Sequence, residues 1–168
     1  VQNIEAMKID MVVVRHSSSG VPYYLTKCMD ANIINAGDGT HEHPTQALLD
    51  MFTLYRSFGG KPDGKRIVMV GDLKRGRTVR SLSYLMKNYK NITLSFVSPK
   101  EFRMEADILD FLRRHSIAFT ETEDFRGAMS GADAIYMTRI QDEHDKSGES
   151  KGVDYSPFHF RKEHLSLI

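Results

Sequence analysis

The stretch IINAGDGTHEHPTQALLDMFTLY, residues 33–55, decides how this chain folds. Its first four residues are mostly apolar and predict a short buried strand. Two glycines then bracket Asp38, which predicts a tight loop, and Pro44 stands where proline is tolerated, in the first turn of a helix. Apolar side chains follow at helical spacing and predict an amphipathic helix with one buried face. These apolar positions are Leu48, Leu49, Met51, Phe52 and Tyr55.

This order of strand, glycine loop and helix is suited to binding an anion. The loop and the helix start present backbone N–H groups and the positive end of the helix dipole to the same space. His43 lies at the predicted helix start, and Gln46 lies one turn further in. We therefore expect a donor imidazole and a donor amide to point into one opening.

Composition excludes several classes of protein. The 168 residues can bury a core, and the 23 basic and 22 acidic residues leave a net charge of +1. This balance gives no support for a nucleic-acid or membrane-surface partner. No apolar run approaches the length that spans a membrane. A single cysteine, Cys28, excludes an internal disulfide and favours the cytoplasm.

The rest of the chain alternates between strands and helices. Residues 11–14 are apolar and mostly β-branched, which predicts a strand buried on both faces. Turn residues at 57–64 mark a domain boundary. The alternation predicts the α/β class, with parallel sheets and flanking helices. Further strands are predicted at 66–70, 92–97, 117–119 and 134–137, and further helices at 21–29, 77–89, 102–115 and 125–130.

Arginines stand at three predicted strand ends. Arg15 follows the first strand, Arg77 lies beyond the strand at 66–70, and Arg139 follows the last strand. Ligands of open parallel sheets bind beyond the carboxyl ends of the strands, and guanidinium groups bind phosphate and carboxylate bidentately. Each arginine alone is as well explained by a surface ion pair. Together with His43, the three favour a site for small acidic substrates.

Two further patterns contain residues typical of other kinds of site. His41 and His43 are too few for a metal centre, which needs three or four ligands, so we predict no metal. Residues 71–78, GDLKRGRT, have the spacing of a nucleotide-binding P-loop with Arg77 in the lysine position. Arginine does not replace that lysine conservatively, so nucleotide binding is kept only as the alternative function.

Four ordered motifs carry a family resemblance. NAGDG at 35–39, HPTQ at 43–46, GDLK at 71–74 with GRTV at 76–79, and YMTRIQ at 136–141 resemble the catalytic chains of aspartate carbamoyltransferases. The HPTQ motif is shared with ornithine carbamoyltransferases, whereas the DLK and GRTV run, together with TRIQ, points to aspartate. The resemblance covers nearly the whole sequence.

The resemblance implies a two-domain carbamoyltransferase fold. Residues 1–58 would be the second half of a carbamoyl-phosphate-binding domain, and residues 59–168 most of an aspartate-binding domain. The implied reaction transfers the carbamoyl group of carbamoyl phosphate to the amine of L-aspartate, in pyrimidine biosynthesis, without a metal or organic cofactor. Arg15 and His43 would be catalytic at the carbonyl oxygen. The substrate-binding residues would be Arg15, His43 and Gln46 for carbamoyl phosphate, and Arg77, Arg139 and Gln141 for aspartate.

The resemblance also implies partners and missing parts. The family forms homotrimers with shared active sites, in some cases with a regulatory chain. A loop at 141–155 would close over the aspartate. The Ser-Thr-Arg-Thr and His-Pro-Leu-Pro motifs and a serine- and lysine-bearing loop are absent. We therefore expect this sequence to be a piece that cannot turn over alone. An inactive scaffold with the same fold is the third reading.

Overall fold

The computed structural model describes residues 2–140, 148 and 151–167, and it confirms the α/β class. Two parallel sheets are flanked by helices. The strands are β1 (Met11–His16), β2 (Asn32–Asp38), β3 (Arg66–Val70), β4 (Thr93–Val97), β5 (Ala118–Thr122) and β6 (Ala134–Met137). The helices are α1 (Gln2–Glu5), α2 (Val21–Leu25), α3 (Pro44–Ser57), α4 (Arg77–Leu85), α5 (Ala106–Arg114) and α6 (Phe125–Met129).

The first sheet pairs β1 with β2 in parallel, with Met11 opposite Asn32. Burial of β1 on both faces was predicted, and this prediction is wrong for the described residues. The side chains of Met11 and Val13 are 55% and 64% exposed, whereas Val12 and Val14 are half-buried. This sheet has two strands, and the single helix between them, α2, covers only one face of β1.

Helix α3 begins at Pro44 as predicted, but its buried face differs from the prediction. Ala47 and Met51 are buried, and both belong to the core that includes α4 of the second sheet. The larger apolar residues lie on the other side and are 45–60% exposed. These residues are Leu48, Leu49, Phe52 and Tyr55. The spacing of apolar residues predicted the position of the helix correctly. Which of its faces is buried depends on the tertiary fold, which packs α4 against the face of Ala47 and Met51.

This packing predicts unequal stability effects on one helix. Met51→Ala is expected to lower the free energy of unfolding by about 2–4 kcal/mol, because a 6% exposed side chain leaves a cavity. Leu48→Ala, at a 60% exposed position, is expected to change the free energy by about 0.5 kcal/mol or less. Urea denaturation of both variants measures the difference. Equal losses would contradict this assignment of the buried face.

The second sheet places its strands in the order β5-β4-β3-β6, all parallel. Its central strand β3 is buried, with Ile67 and Met69 in one core and Val68 and Val70 in the other. The chain runs outward from β3 through β4 to β5 and then returns to the opposite side of β3 as β6. The strand order therefore reverses between β3 and β6, and ligands of such sheets bind at the carboxyl ends beside this reversal.

Several predicted boundaries move by a few residues. Helix α4 ends at Leu85 and continues as a 3-10 turn, Met86–Asn88. Helix α5 begins later than predicted, because Phe102 is fully buried and its carbonyl accepts hydrogen bonds from Leu73 N and Lys74 N. The loop predicted at 141–155 falls largely outside the described residues. Within the described part of the chain, no helix is long and apolar enough to span a bilayer.

Candidate active site

The carboxylate of Asp38 holds the glycine loop between β2 and α3 in shape. It is 2% exposed and accepts hydrogen bonds from Gly20 N at 2.8 Å, Asn35 Nδ2 at 3.1 Å and Glu42 N at 3.1 Å. Burial alone would raise the pKa of Asp38, but these hydrogen bonds outweigh it and lower the pKa. Asp38 therefore stays ionised and fixes the loop that leads to His43.

His43 is the N-cap of α3 and is held as a neutral imidazole. Its Nδ1 accepts from Gln46 N at 3.4 Å, so the ring proton of the neutral form lies on Nε2. Burial lowers the pKa of His43, and the positive charges of Arg77 and Arg15 lower it further. The two cations therefore favour an Nε2–H donor that carries no charge of its own.

Arg77 and His43 meet at Gly37. Arg77 is the first residue of α4, and its Nη1 donates to Gly39 O at 2.6 Å. A Cβ atom placed on Gly37 would lie 3.3 Å from Nη1 of Arg77 and 3.6 Å from Cδ2 of His43. The backbone of Gly37, at φ 123°, thus separates the guanidinium of the second sheet from the imidazole of the first. The predicted proximity of these two residues is present in the structure.

The remaining predicted site residues are placed as follows. Arg15 lies within β1, which extends to His16, and not after it as predicted; its charge reaches His43. Gln46 lies one turn into α3 as predicted, and its amide Nε2 donates to Asp50 Oδ1 at 2.8 Å. Arg139 is exposed two residues after β6, and its place at this edge follows from the sheet topology. Gln141 lies outside the described residues.

Glu42 and Ser81 are contacts that the sequence analysis missed. Ser81 Oγ donates to the Glu42 carboxylate and accepts from His43 N at 2.9 Å. The pair thus attaches the loop before α3 to helix α4. Burial raises the pKa of Glu42, although Ser81 and Arg80 act in the opposite direction. No spacing signal could have joined two residues that are 39 positions apart.

The raised pKa of Glu42 predicts a pH-dependent stability. Between its ordinary value of 4.5 and its higher folded value, the unfolded chain is ionised while the folded chain keeps the proton. The free energy of unfolding therefore falls as pH rises through the folded pKa of Glu42. Glu42→Gln is expected to remove this loss and to raise the melting temperature at pH 7 by about 2 °C. Thermal melts from pH 4 to 7 measure it, with exposed Glu101→Gln as the control; identical pH profiles for Glu42→Gln and wild type would contradict the prediction.

The loop at 71–78 is not arranged as a P-loop. In a P-loop the backbone N–H groups face phosphate oxygens. Here the N–H of Gly71 donates to Val97 O, those of Leu73 and Lys74 donate to Phe102 O, and that of Arg75 donates to the buried carboxylate of Asp72. Since these donors are occupied by the protein itself, the loop does not form a phosphate cradle.

The two histidines that suggested a metal have different partners. His41 Nδ1 lies 3.3 Å from Asp38 Oδ2, whereas His43 Nδ1 caps α3. Among the residues that the structure describes, no three His, Cys, Asp or Glu side chains are grouped to hold a metal ion.

Comparison with known proteins accounts for both sheets. The family profile described as aspartate/ornithine carbamoyltransferase, carbamoyl-P binding domain, matches residues 1–56. The profile described as aspartate/ornithine carbamoyltransferase, Asp/Orn binding domain, matches residues 63–168, which is more than half of the chain. The chain belongs to the aspartate/ornithine carbamoyltransferase family. The fold and the four motifs are thereby explained as those of this family.

Individual relatives agree with this membership. The aspartate carbamoyltransferase catalytic subunit of Methanocaldococcus jannaschii is 45% identical over 134 residues, which cover 80% of this chain and 44% of that protein. A chloroplastic aspartate carbamoyltransferase of Pisum sativum is 44% identical over 134 residues, which cover 80% of this chain and 34% of that protein. The chain thus spans less than half of the length of these curated relatives.

Solved structures of the family superimpose on the chain. The catalytic subunit of Methanocaldococcus jannaschii aspartate transcarbamoylase gives a TM-score of 0.83 at 38% identity, covering 96% of this chain and 53% of that chain. Aspartate transcarbamoylase of Trypanosoma cruzi, in complex with carbamoyl phosphate and aspartate, gives a TM-score of 0.86 at 29% identity. This match covers 99% of this chain and 55% of that chain.

Proposed function

We propose that this chain is part of an aspartate carbamoyltransferase, which transfers the carbamoyl group of carbamoyl phosphate to the amine of L-aspartate. The observation that carries the proposal is the meeting of His43 and Arg77 at Gly37, beside the strand reversal between β3 and β6. The proposed site has two walls: the first carries His43, from the region matched by the carbamoyl-P domain profile, and the second carries Arg77, from the region matched by the Asp/Orn domain profile.

The donors on the first wall suit the carbonyl of carbamoyl phosphate. When the amine attacks, a C–N bond forms and negative charge grows on the carbonyl oxygen; the C–O bond to phosphate then breaks and the amine loses a proton. A neutral Nε2–H of His43 and the guanidinium of Arg15 would stabilise that oxygen. Gln46 would complete the carbamoyl phosphate site. No step of this reaction requires a metal or organic cofactor.

The second wall would bind aspartate. Arg77 and Arg139 stand beyond β3 and β6, and their guanidinium groups match the two carboxylates of the substrate. Gln141 is proposed as a further contact. Holding the amine against the carbonyl carbon converts a bimolecular step into an effectively unimolecular one and supplies much of the rate.

The remaining features of the proposal concern assembly and location. We propose a homotrimer with shared active sites, with a regulatory chain as a possible further partner, in the cytoplasm. Neither nucleic acid nor a membrane is part of the proposal. The domain division at residues 58 and 59 is also part of it. Gel filtration with light scattering of the complete polypeptide tests the trimer directly.

A chimeric enzyme tests the activity. In it, the segment of the Methanocaldococcus jannaschii catalytic subunit that aligns with this chain over 134 residues is replaced by the corresponding segment of this chain. We expect the chimera to form carbamoyl aspartate, and His43→Ala within it to lower kcat by about 10²–10³-fold. The isolated chain is expected to be inactive.

The outcomes separate the three readings. A folded chimera without activity would contradict the proposed function and favour the inactive scaffold. Magnesium-dependent nucleotide binding by the chain, abolished by Gly76→Ala, would favour the P-loop reading instead. Appreciable turnover by the isolated chain would contradict the expectation that it is incomplete.

A further inference from the structure

The carboxylate of Asp50 joins the two walls of the proposed site. Asp50 lies on α3, one turn after Gln46, and its Oδ1 accepts from Gln46 Nε2 at 2.8 Å. Its Oδ2 accepts from the hydroxyl of Tyr136 at 2.8 Å, and Tyr136 belongs to β6 of the second sheet. Both bonds have a charged acceptor and are of the stronger kind. One side chain therefore links the helix that begins at His43 to the strand that leads to Arg139.

The bond to Asp50 determines how Gln46 is presented. An ionised carboxylate only accepts hydrogen bonds, so the half of the Gln46 carboxamide that faces Asp50 is the NH₂ group. The carbonyl oxygen Oε1 of Gln46 is consequently turned away from Asp50 as an acceptor. Without Asp50 the carboxamide could rotate by half a turn and present either group.

The phenol of Tyr136 extends the link to α4. Its hydroxyl also lies beside the side chain of Thr78, which directly follows Arg77. Burial and the neighbouring Asp50 raise the pKa of Tyr136 to about 12, although the neighbouring Thr78 acts in the opposite direction. The phenol therefore remains protonated and continues to donate to Asp50. Two hydrogen bonds therefore connect Gln46 through Asp50 to Tyr136, and the phenol of Tyr136 lies beside Thr78.

We propose that Asp50 is a positioning residue for carbamoyl transfer. It sets the orientation of the Gln46 carboxamide and, through Tyr136 on β6, holds Gln46 at a fixed place relative to the second sheet. This inference rests on the proposed function, because it assigns Gln46 and Arg77 to the two substrates. Asp50 itself contacts neither substrate. Its effect is on the alignment of the two, and alignment errors of about 1 Å reduce rates about a hundredfold.

The first test follows the side-chain amide of Gln46 by ¹H–¹⁵N NMR in the 168-residue chain. Asp50→Asn offers one acceptor oxygen to two donors, so we expect the Gln46 side-chain resonances to shift and their hydrogen exchange to accelerate about tenfold. Tyr136→Phe is expected to shift the same resonances by a smaller amount. Tyr84→Phe, a half-buried tyrosine packed edge-on against Phe111, is the matched control and should leave them unchanged.

The second test measures kinetics in the chimeric enzyme. Asp50→Asn is expected to lower kcat about 10–100-fold with a smaller change in either KM, because substrate contacts are kept and alignment is lost. Tyr136→Phe should lower kcat less, and Tyr84→Phe should leave it within about twofold of wild type.

The outcomes of the two tests distinguish failure of the positioning role from failure of the proposed function. Unchanged Gln46 resonances in Asp50→Asn, or Tyr136→Phe behaving as Tyr84→Phe does, would overturn the positioning role. An active chimera in which Asp50→Asn has no effect on kcat would also overturn it while the proposed function stands. An inactive wild-type chimera with shifted Gln46 resonances would overturn the proposed function and leave the orientation of Gln46 by Asp50 established.

Discussion

Replacing Arg77 with leucine is expected to lower kcat/KM for carbamoyl transfer in the chimeric enzyme by about a thousandfold. A guanidinium that binds a carboxylate with two charge-assisted hydrogen bonds contributes several kcal/mol. Its loss would also remove the contact of Nη1 with Gly39 O and the neighbouring charge that helps to keep His43 neutral. The pKa of His43 should therefore rise toward its ordinary value of 6.5 in the same variant. Steady-state kinetics and NMR titration of His43 measure the two effects.

Lysine at position 77 separates charge from shape. A lysine keeps the positive charge but not the planar fork of donors. In Arg77→Lys the pKa of His43 should therefore stay low, while kcat/KM still falls by about tenfold or more. Arg126→Leu, at an exposed position on α6, is the control and should change neither quantity. A wild-type kcat/KM together with a wild-type His43 titration in Arg77→Leu would refute the role assigned to Arg77.

Much of the fold could be predicted from the sequence, because its signals are local. The alternation of β-branched runs with helical spacing identified every strand from β1 to β6. Burial was predicted less well. The side of α3 that carries Leu48 and Phe52 is the more apolar one, yet the side that carries Ala47 packs on α4. Which face a neighbour covers depends on the tertiary arrangement, and periodicity contains no information about it.

The candidate site shows the same division between local and distant information. His43 and Arg77 could be found because each stands at a helix start after a glycine loop, which is a local pattern. The strand order that brings β6 beside β3 could not be predicted from the sequence. A crossover to either edge of the sheet is compatible with the same alternation of strands and helices. Asp50 and Tyr136 were missed for this reason, because each reads alone as an ordinary helix or strand residue. Their role exists only once α3 and β6 meet.

Replacing Gly71 with alanine is expected to lower the free energy of unfolding by about 3–5 kcal/mol. Gly71 has φ 120°, and a Cβ atom there would lie 2.3 Å from Thr138 O, a backbone atom, and 3.0 Å from Thr138 Cγ2. Neither Gly71 nor Thr138 can move away without breaking a backbone hydrogen bond. Gly71 N donates to Val97 O at 3.0 Å, and Thr138 N donates to Val70 O at 2.8 Å.

Gly59→Ala is the matched control for this change. Gly59 also has a positive φ, 59°, but a Cβ atom there would meet nothing within 4 Å. Its cost should be only the backbone strain, about 1–2 kcal/mol. Equal midpoints for the two variants in guanidinium denaturation would contradict the argument. The excess cost at Gly71 arises where β3 and β6 separate, so the residues after β6, including Arg139, should also shift in the NMR spectrum of Gly71→Ala. The absence of a side chain at Gly71 therefore lets the end of β3 lie in contact with the residue that follows β6.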